Sequence, residues 1–349
     1  MVYLVRLLAA ARRGLARRAA RAVAAVFVLM AFAGQAAVGQ QCGFRPGTAP
    51  QCWQSEWPKT DFSKHSVPYA EILSGGPPKD GIPSIENPKF LPVSEIAALG
   101  DTDPVIGITV NGDARAYPLH ILTRHEIVND VIGGVPVAVT YCPLCNSGIV
   151  FDRRLEGRVL EFGTTGKLRH SDLVMYDRQT ESWWQQFMGE AIIGELTGNT
   201  LKMLPARMES LARFRQRAPQ GRVQVPGATH RQYGVNPYAF YDSQKRPYGF
   251  FTGPFPDGIG PMVRVVAVGK EAWSLPLLRG KGKIAAGDLV LTWEAGQNSA
   301  LDSPLISRGR DVGNVIVRRR VGEKMEDVVH DVTFAFVFHA FRPDGVIHK

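Results

Sequence analysis

The chain is short of cysteine, of long apolar runs and of the glycine-rich loops that cradle phosphates, and each shortage excludes a class of protein. Only four cysteines occur among 349 residues. That is too few for a small disulfide-built scaffold, and they fall into two pairs of different character. Beyond residue 40 no apolar run approaches the roughly 20 residues that cross a bilayer, so no integral membrane span is expected once the leader is removed. The sequence has no full phosphate-loop pattern, dinucleotide fingerprint, nucleophile elbow or paired-histidine zinc-protease motif, so no nucleotide cofactor is expected. Basic residues do not interleave with aromatics in any patch, which sets nucleic acid aside as a partner.

Acidic residues are missing altogether from residues 1–40. Arg6, Arg12, Arg13, Arg17, Arg18 and Arg21 make this stretch positive, an apolar run follows from Ala22 to Ala33, and small residues occupy Gly34 to Gly39. This is the layout of a secretory signal peptide, and it predicts a periplasmic or secreted protein. General secretion fits best, and the paired arginines leave twin-arginine export open. The formal net charge of +9 falls to +3 once these six arginines are set aside, so the high pI is largely a property of the leader. What remains has the apolar and charged fractions of an ordinary packed protein, large enough for one big or two smaller domains.

Residues 41–90 are crowded with turn formers, as in Gly75-Gly-Pro-Pro78 and Asp80-Gly-Ile-Pro83, and read as an irregular extension. Cys42 and Cys52 lie here, where a disulfide would staple a stretch with little core of its own. Short alternating runs follow. Val105–Val110 meets Asp113–Tyr117 across Asn111-Gly112, a strong hairpin signal. Val135–Tyr141, Gly148–Phe151 and Arg158–Phe162 read as further strands, with a turn at Glu156-Gly157. Val93–Leu99 and Arg207–Arg217 read as helices. The fold class expected is α+β and β-rich.

The pattern also repeats. Val105-Ile-Gly-Ile-Thr-Val110 and Tyr117-Pro-Leu119 are echoed by Val263-Arg-Val-Val-Ala-Val268 and Leu275-Pro-Leu277. Val137-Ala-Val-Thr-Tyr141 is echoed by Leu289-Val-Leu-Thr-Trp293, Asn146-Ser147 by Asn298-Ser299, and Phe214…Pro219 by Phe338…Pro343. Two related halves from an internal duplication are expected, at 91–225 and 226–349. The second is degenerate. Glu294 and Gln297 stand opposite Cys142 and Cys145, and much of 162–201 has no counterpart. Function is therefore expected in the first half.

The chemistry centres on Thr140-Tyr-Cys-Pro-Leu-Cys-Asn-Ser-Gly148. A redox dithiol wants its first cysteine at a helix N-terminus, and here strands flank the pair. A metal knuckle wants a tight turn between strands, with a residue that tolerates positive φ after the second cysteine, and Asn146 suits that place. Two thiolates need about two further donors, and His125, His170 and Met175 are the candidates, with copper or zinc as the ion. A Rieske-type cluster is excluded, because no histidine follows Cys145 at the required place. His125-Glu-Ile-Val-Asn-Asp130 is dense in polar groups. As a helical turn it would put His125 and Asn129 on one face and Glu126 and Asp130 on the next. Asp152, Tyr176, Asp177, Arg178 and Trp183 are further pocket candidates, and Asp172 with Asp177 could form a carboxylate pair. Two alternatives stand beside a metal protein with a redox role: a thiol–disulfide oxidoreductase, and a non-catalytic binding or scaffold module with a structural cysteine pair.

Taken together, Gly76-Pro-Pro-Lys-Asp-Gly-Ile-Pro83, Ala116-Tyr-Pro118, His125-Glu-Ile-Val-Asn-Asp130, Thr140-Tyr-Cys-Pro-Leu-Cys145, Phe151-Asp-Arg153, Met175-Tyr-Asp-Arg178 and Thr180-Glu-Ser-Trp183 resemble a bacterial family, domain of unknown function 3179. The resemblance covers roughly 65–349. It implies that the motifs of the first half form one site, and it assigns no activity. The chain departs from the family pattern at Asn146, where a glycine is expected, and at His170, where a small or polar residue is expected.

Overall fold

Period-two alternation, cut by two-residue turns that only positive φ can close, folds most of this chain into hairpins. Asn111 and Gly112 (φ 48° and 84°) join Pro104–Val110 to Asp113–Pro118, and Glu156 and Gly157 (φ 49° and 77°) close a smaller hairpin. These are the left-handed positions that two-residue hairpin turns require. The structure, a computed structural model, describes residues 47–227 and 232–349. The leader at 1–40 and Cys42, and with it the expected Cys42–Cys52 bridge, lie outside the described residues. Residues up to 56 and residues 57–349 form separate compact units. The described part of the first holds the short helix Gln51–Glu56.

Among the described residues of 57–349, five sheets of four or five strands are arranged as a five-bladed β-propeller. Blade one contains the Asn111-Gly112 hairpin, flanked by Ala206–Ser210 on one side and by Arg222–Val225 and Lys89–Pro92 on the other. Blade two is Ile127–Ile132, Val135–Cys142 and Ser147–Asp152, edged by Met203–Leu204. Blade three is Phe162–Arg169, Asp172–Asp177, Trp183–Gln185 and Glu190–Ile193, with Ile72–Ser74 at its edge. Blade four is Arg264–Val268, Glu271–Ser274, Asp331–Phe334 and Val346–His348. Blade five is Lys283–Ala286, Leu289–Glu294, Asn314–Val321 and Lys324–Asp327. The β-rich expectation holds. The propeller was not anticipated, because closing sheets around an axis leaves no mark on strand alternation.

Blades one and four share a path through space. In each, a hairpin runs into a seven-residue helix, Leu119–His125 or Leu275–Lys281. In each, a later strand pairs antiparallel to the first hairpin strand, a second seven-residue helix follows, and a last strand returns parallel to the second hairpin strand. The helix ends agree in dihedral angle: Glu126 (φ 60°, ψ −31°) matches Gly282 (66°, −36°), and Ala218 (−136°, 66°) matches Arg342 (−137°, 65°). Phe214 and Phe338, both fully buried, press on Gly221 and Gly345, where an added Cβ would meet ring carbon at 2.7 Å in each case. Phe214→Ala and Phe338→Ala should therefore cost similar amounts, about 3–5 kcal/mol each, measured by urea denaturation.

Two sequence expectations fail locally. Val93–Leu99 forms only a 3₁₀ turn at Val93–Glu95. Arg207–Arg217 divides into the strand Ala206–Ser210 and the helix Leu211–Arg217, with Ser210 accepting from the Arg213 N–H as N-cap. Serine suits such a cap, so the helix starts four residues later than its periodicity suggests.

Candidate metal centre

The cysteine pair sits on a strand-to-strand corner. Val135–Cys142 pairs with Ser147–Asp152, and Cys142 lies opposite Ser147. Within the corner the Cys145 N–H donates to the Cys142 carbonyl and the Asn146 N–H to the Pro143 carbonyl, both at 3.2 Å. Asn146 takes φ 52°, the tolerance that the knuckle reading asks of this residue. Blade four holds the corner from outside. Asn146 Nδ2 donates to the Val332 carbonyl at 2.7 Å, and Thr333 Oγ1 donates to the Cys145 carbonyl at 2.8 Å. Tyr241 Oη donates to the Leu144 carbonyl at 2.9 Å.

Blade three brings the third group. Its hairpin turns at His170 and Ser171, both at positive φ (50° and 68°), and delivers Asp172 at the start of the next strand. Two consecutive side-chain-bearing residues in this region cost backbone energy that a turn without a function would shed by using glycine. Both sulfurs and a carboxylate oxygen of Asp172 lie within 4.8 Å of one another, and all three residues are buried. Asp172 Oδ2 accepts from the Phe187 N–H at 2.8 Å and from the Gln185 side-chain amide. Oδ1 has no hydrogen-bond partner among the described residues. One oxygen is thus fixed by the protein, and the thiols of Cys142 and Cys145 beside the carboxylate favour its charged form.

Burial dominates the electrostatics. It pushes both thiols above their ordinary range, Cys145 most, and lifts the Asp172 carboxyl to about 6. It lifts Glu126 to about 8, with the Asp172 charge adding to the effect. The charges that act on Glu126 and the two thiols are those of Asp172 and of one another. Four potential anions in a buried space could hold a cation. A bound dication would lower every one of these pKa values and draw off the thiol protons. The donors fit a borderline ion, since zinc takes thiolate and carboxylate together.

Several residues singled out from the sequence do other work. His125 ends its helix, and its ring nitrogens meet the Pro83 carbonyl (2.8 Å) and Tyr233 Oη (2.9 Å). Both ring nitrogens are therefore engaged, and His125 is not in the group that converges on the sulfurs. His170 Nε2 lies 3.3 Å from a Glu71 oxygen and Nδ1 lies 3.4 Å from Thr252 Oγ1, so it too is engaged elsewhere. Met175 is fully buried in the apolar cluster that also holds both cysteines. The helical turn expected over 125–130 is absent, because the helix stops at His125 and Ile127–Ile132 is a strand. Asn129 in that strand pairs with the Phe162 backbone through both amide groups. Asp130 binds Arg115 and Tyr117, and Asp152 binds Arg154.

The aromatic residues expected to wall a pocket are core. Trp183 and Tyr176 are buried and pack edge-on against Trp57, with ring centroids at 5.2 and 4.7 Å. Tyr176 Oη and Arg178 both bond Asp80, which pins the Pro-rich strap at 77–83 to blade three. Asp177 accepts from Thr180 and from Trp184 Nε1. It closes its own turn and forms no pair with Asp172.

Among the described residues no helix is long and apolar enough to cross a membrane. Comparison with curated proteins and with solved structures returns no match. A family model described as "Protein of unknown function (DUF3179)" matches residues 79–345, which takes in the five blades except for one edge strand each of blades three and four, and every residue of the Cys142, Cys145 and Asp172 group, and the chain belongs to that family.

Proposed function

We propose that this protein is an exported metal-binding protein whose centre is Cys142, Cys145 and Asp172, and that its ion is zinc or a dication like it. One observation carries this reading: two buried thiols meet a buried carboxylate that keeps one oxygen without a hydrogen-bond partner. Three protein donors leave a fourth position of the tetrahedral ion to be filled by a further side chain, water or a small molecule. A carboxylate in the set argues against Cu(I), which prefers soft donors throughout. Export rests on residues 1–40, and the cysteines, if exported, work where free thiols need protection from oxidation. Binding an ion would give that protection.

The matching paths of blades one and four support an origin by duplication, with 91–225 and 226–349 as the two copies and blade three as an addition to the first. That addition brings Asp172.

A thiol–disulfide role has one observation in its favour, the closeness of the two sulfurs. Against it, both thiols are buried and pushed above their ordinary pKa, whereas attack on a disulfide needs an accessible thiolate. One experiment separates the readings: metal analysis and thiol trapping on protein purified from the periplasm. The expected result is a tightly held ion, near one per chain, with thiols that react only after chelation. A metal-free protein whose cysteines cycle between thiol and disulfide in cells would end the metal reading.

A further inference from the structure

Glu126 stands where a glycine belongs. It follows the last residue of the helix Leu119–His125, and its backbone takes φ 60° and ψ −31° while its N–H closes on the Leu122 carbonyl. The matching position after Leu275–Lys281 is Gly282, with φ 66° and ψ −36° and its N–H on the Leu278 carbonyl. The next contact also matches. The Glu126 carbonyl accepts from the Tyr141 N–H at 2.8 Å, and the Gly282 carbonyl accepts from the Trp293 N–H at 2.9 Å. Glycine takes this conformation freely, whereas a residue with a Cβ is strained there. The second half keeps the unstrained residue, so the fold does not need a glutamate at this point.

Its carboxylate adds a second anomaly. Glu126 is 7 % exposed, yet no described residue donates a hydrogen bond to that carboxylate. A carboxyl group kept at 7 % exposure with no donor to it is costly whether it is charged or neutral. The backbone contact to Tyr141 sets the residue beside the strand end that carries Cys142, its charge acts on Cys142, and the Asp172 charge acts on it. It stands outside the 4.8 Å group, and the three torsions of its side chain give it reach.

We infer that Glu126 is a fourth donor of the metal centre, completing a set of two thiolates and two carboxylates that selects a dication over Cu(I). This rests on the metal reading above and sharpens it, since two carboxylates shift the set further toward harder ions.

The test is titration of the full mature protein with Co(II), a coloured substitute for zinc, comparing wild type with Glu126→Gln. Glu126→Gly serves as a second variant that restores the residue of the other half and removes the strain. Wild type should give a thiolate-to-cobalt absorption band and the intense visible bands of four-coordinate cobalt. Both variants should keep the thiolate band, change the visible bands and bind about tenfold or more weakly. Thermal unfolding of the chelated variants should rise above wild type while their metal affinity falls. A purely structural glutamate cannot give that opposition of signs. Unchanged affinity and visible bands in both variants would overturn the inference and leave the three-residue centre standing. Absence of any thiolate–cobalt band in wild type would instead bring down the metal centre, and this inference with it.

Discussion

Asp172→Asn is expected to leave the propeller folded and to abolish most of its zinc affinity. Asparagine can keep one oxygen where Oδ2 now accepts from the Phe187 N–H and the Gln185 amide. Its NH₂ then takes the place of Oδ1, the oxygen without a hydrogen-bond partner. An amide nitrogen there offers no lone pair to a cation and no charge to balance one. The loss should be about 100-fold or more, because a ligand is removed rather than a group that orients one. The reading is direct. Zinc at 100 times its dissociation constant stabilises a folded protein by about 2.7 kcal/mol, so wild type should melt several degrees higher with zinc than with chelator. Asp172→Asn and Cys142→Ser should show almost no such shift. His125→Ala should keep the full shift while melting lower in both conditions, since it breaks the contacts to Pro83 and Tyr233. A zinc-induced shift that survives in Asp172→Asn would remove Asp172 from the centre.

The contrast between Asp172 and His125 shows what the sequence could reveal of this site. The knuckle was legible because its elements are local: a strand, a proline after the first cysteine, and Asn146 where positive φ is needed. The third donor was not. His125 and His170 carry side chains typical of ligands, but nothing in their spacing discloses that a proline carbonyl, a tyrosine, a threonine and a glutamate engage them. Asp172 was visible only as half of a supposed pair with Asp177, whose real task is to close the Thr180 turn. The useful signal was one of absence. The stretch of sequence without a counterpart in the second half, much of 162–201, holds blade three, and blade three brings Asp172 to the sulfurs. The propeller escaped notice for a related reason. Alternation and turn residues fix which side chains face which side of a strand, whereas sheet order and closure depend on pairings between residues far apart in sequence, such as Ser210 with Pro104. The repeated motifs cross that gap, because the like paths of blades one and four place like residues at like corners, Phe214 with Phe338 and Gly221 with Gly345.

Asp331→Asn should stabilise the protein near pH 7.5 and do little near pH 3. Asp331 begins the blade-four strand that supports the cysteine corner. Its Oδ1 accepts from the Gly148 N–H at 3.0 Å, and its Oδ2 has no hydrogen-bond partner among the described residues. Burial outweighs the hydrogen bonding and lifts its carboxyl to about 6 from an ordinary 3.8. Between those values the folded state holds the proton more tightly than the unfolded state, so stability falls as pH rises from about 4 to about 6. The penalty is complete above that window and absent below it. Asparagine keeps an oxygen for Gly148 and carries no charge at any pH, which removes the penalty. Two pKa units correspond to at most about 3 kcal/mol, and a gain on the order of 1–3 kcal/mol is expected near neutral pH. The buried imidazole of His330 next to it is pushed below its ordinary pKa, but it is present in both proteins and cancels in the difference. Urea denaturation of wild type and variant at both pH values, with chelator throughout, gives the comparison. Equal differences at the two pH values would mean that Asp331 is not titrating in that window. A gain confined to neutral pH would mean that the folded protein holds a charged carboxylate with one oxygen unpaired beside its cysteine corner, at a standing cost to its own stability.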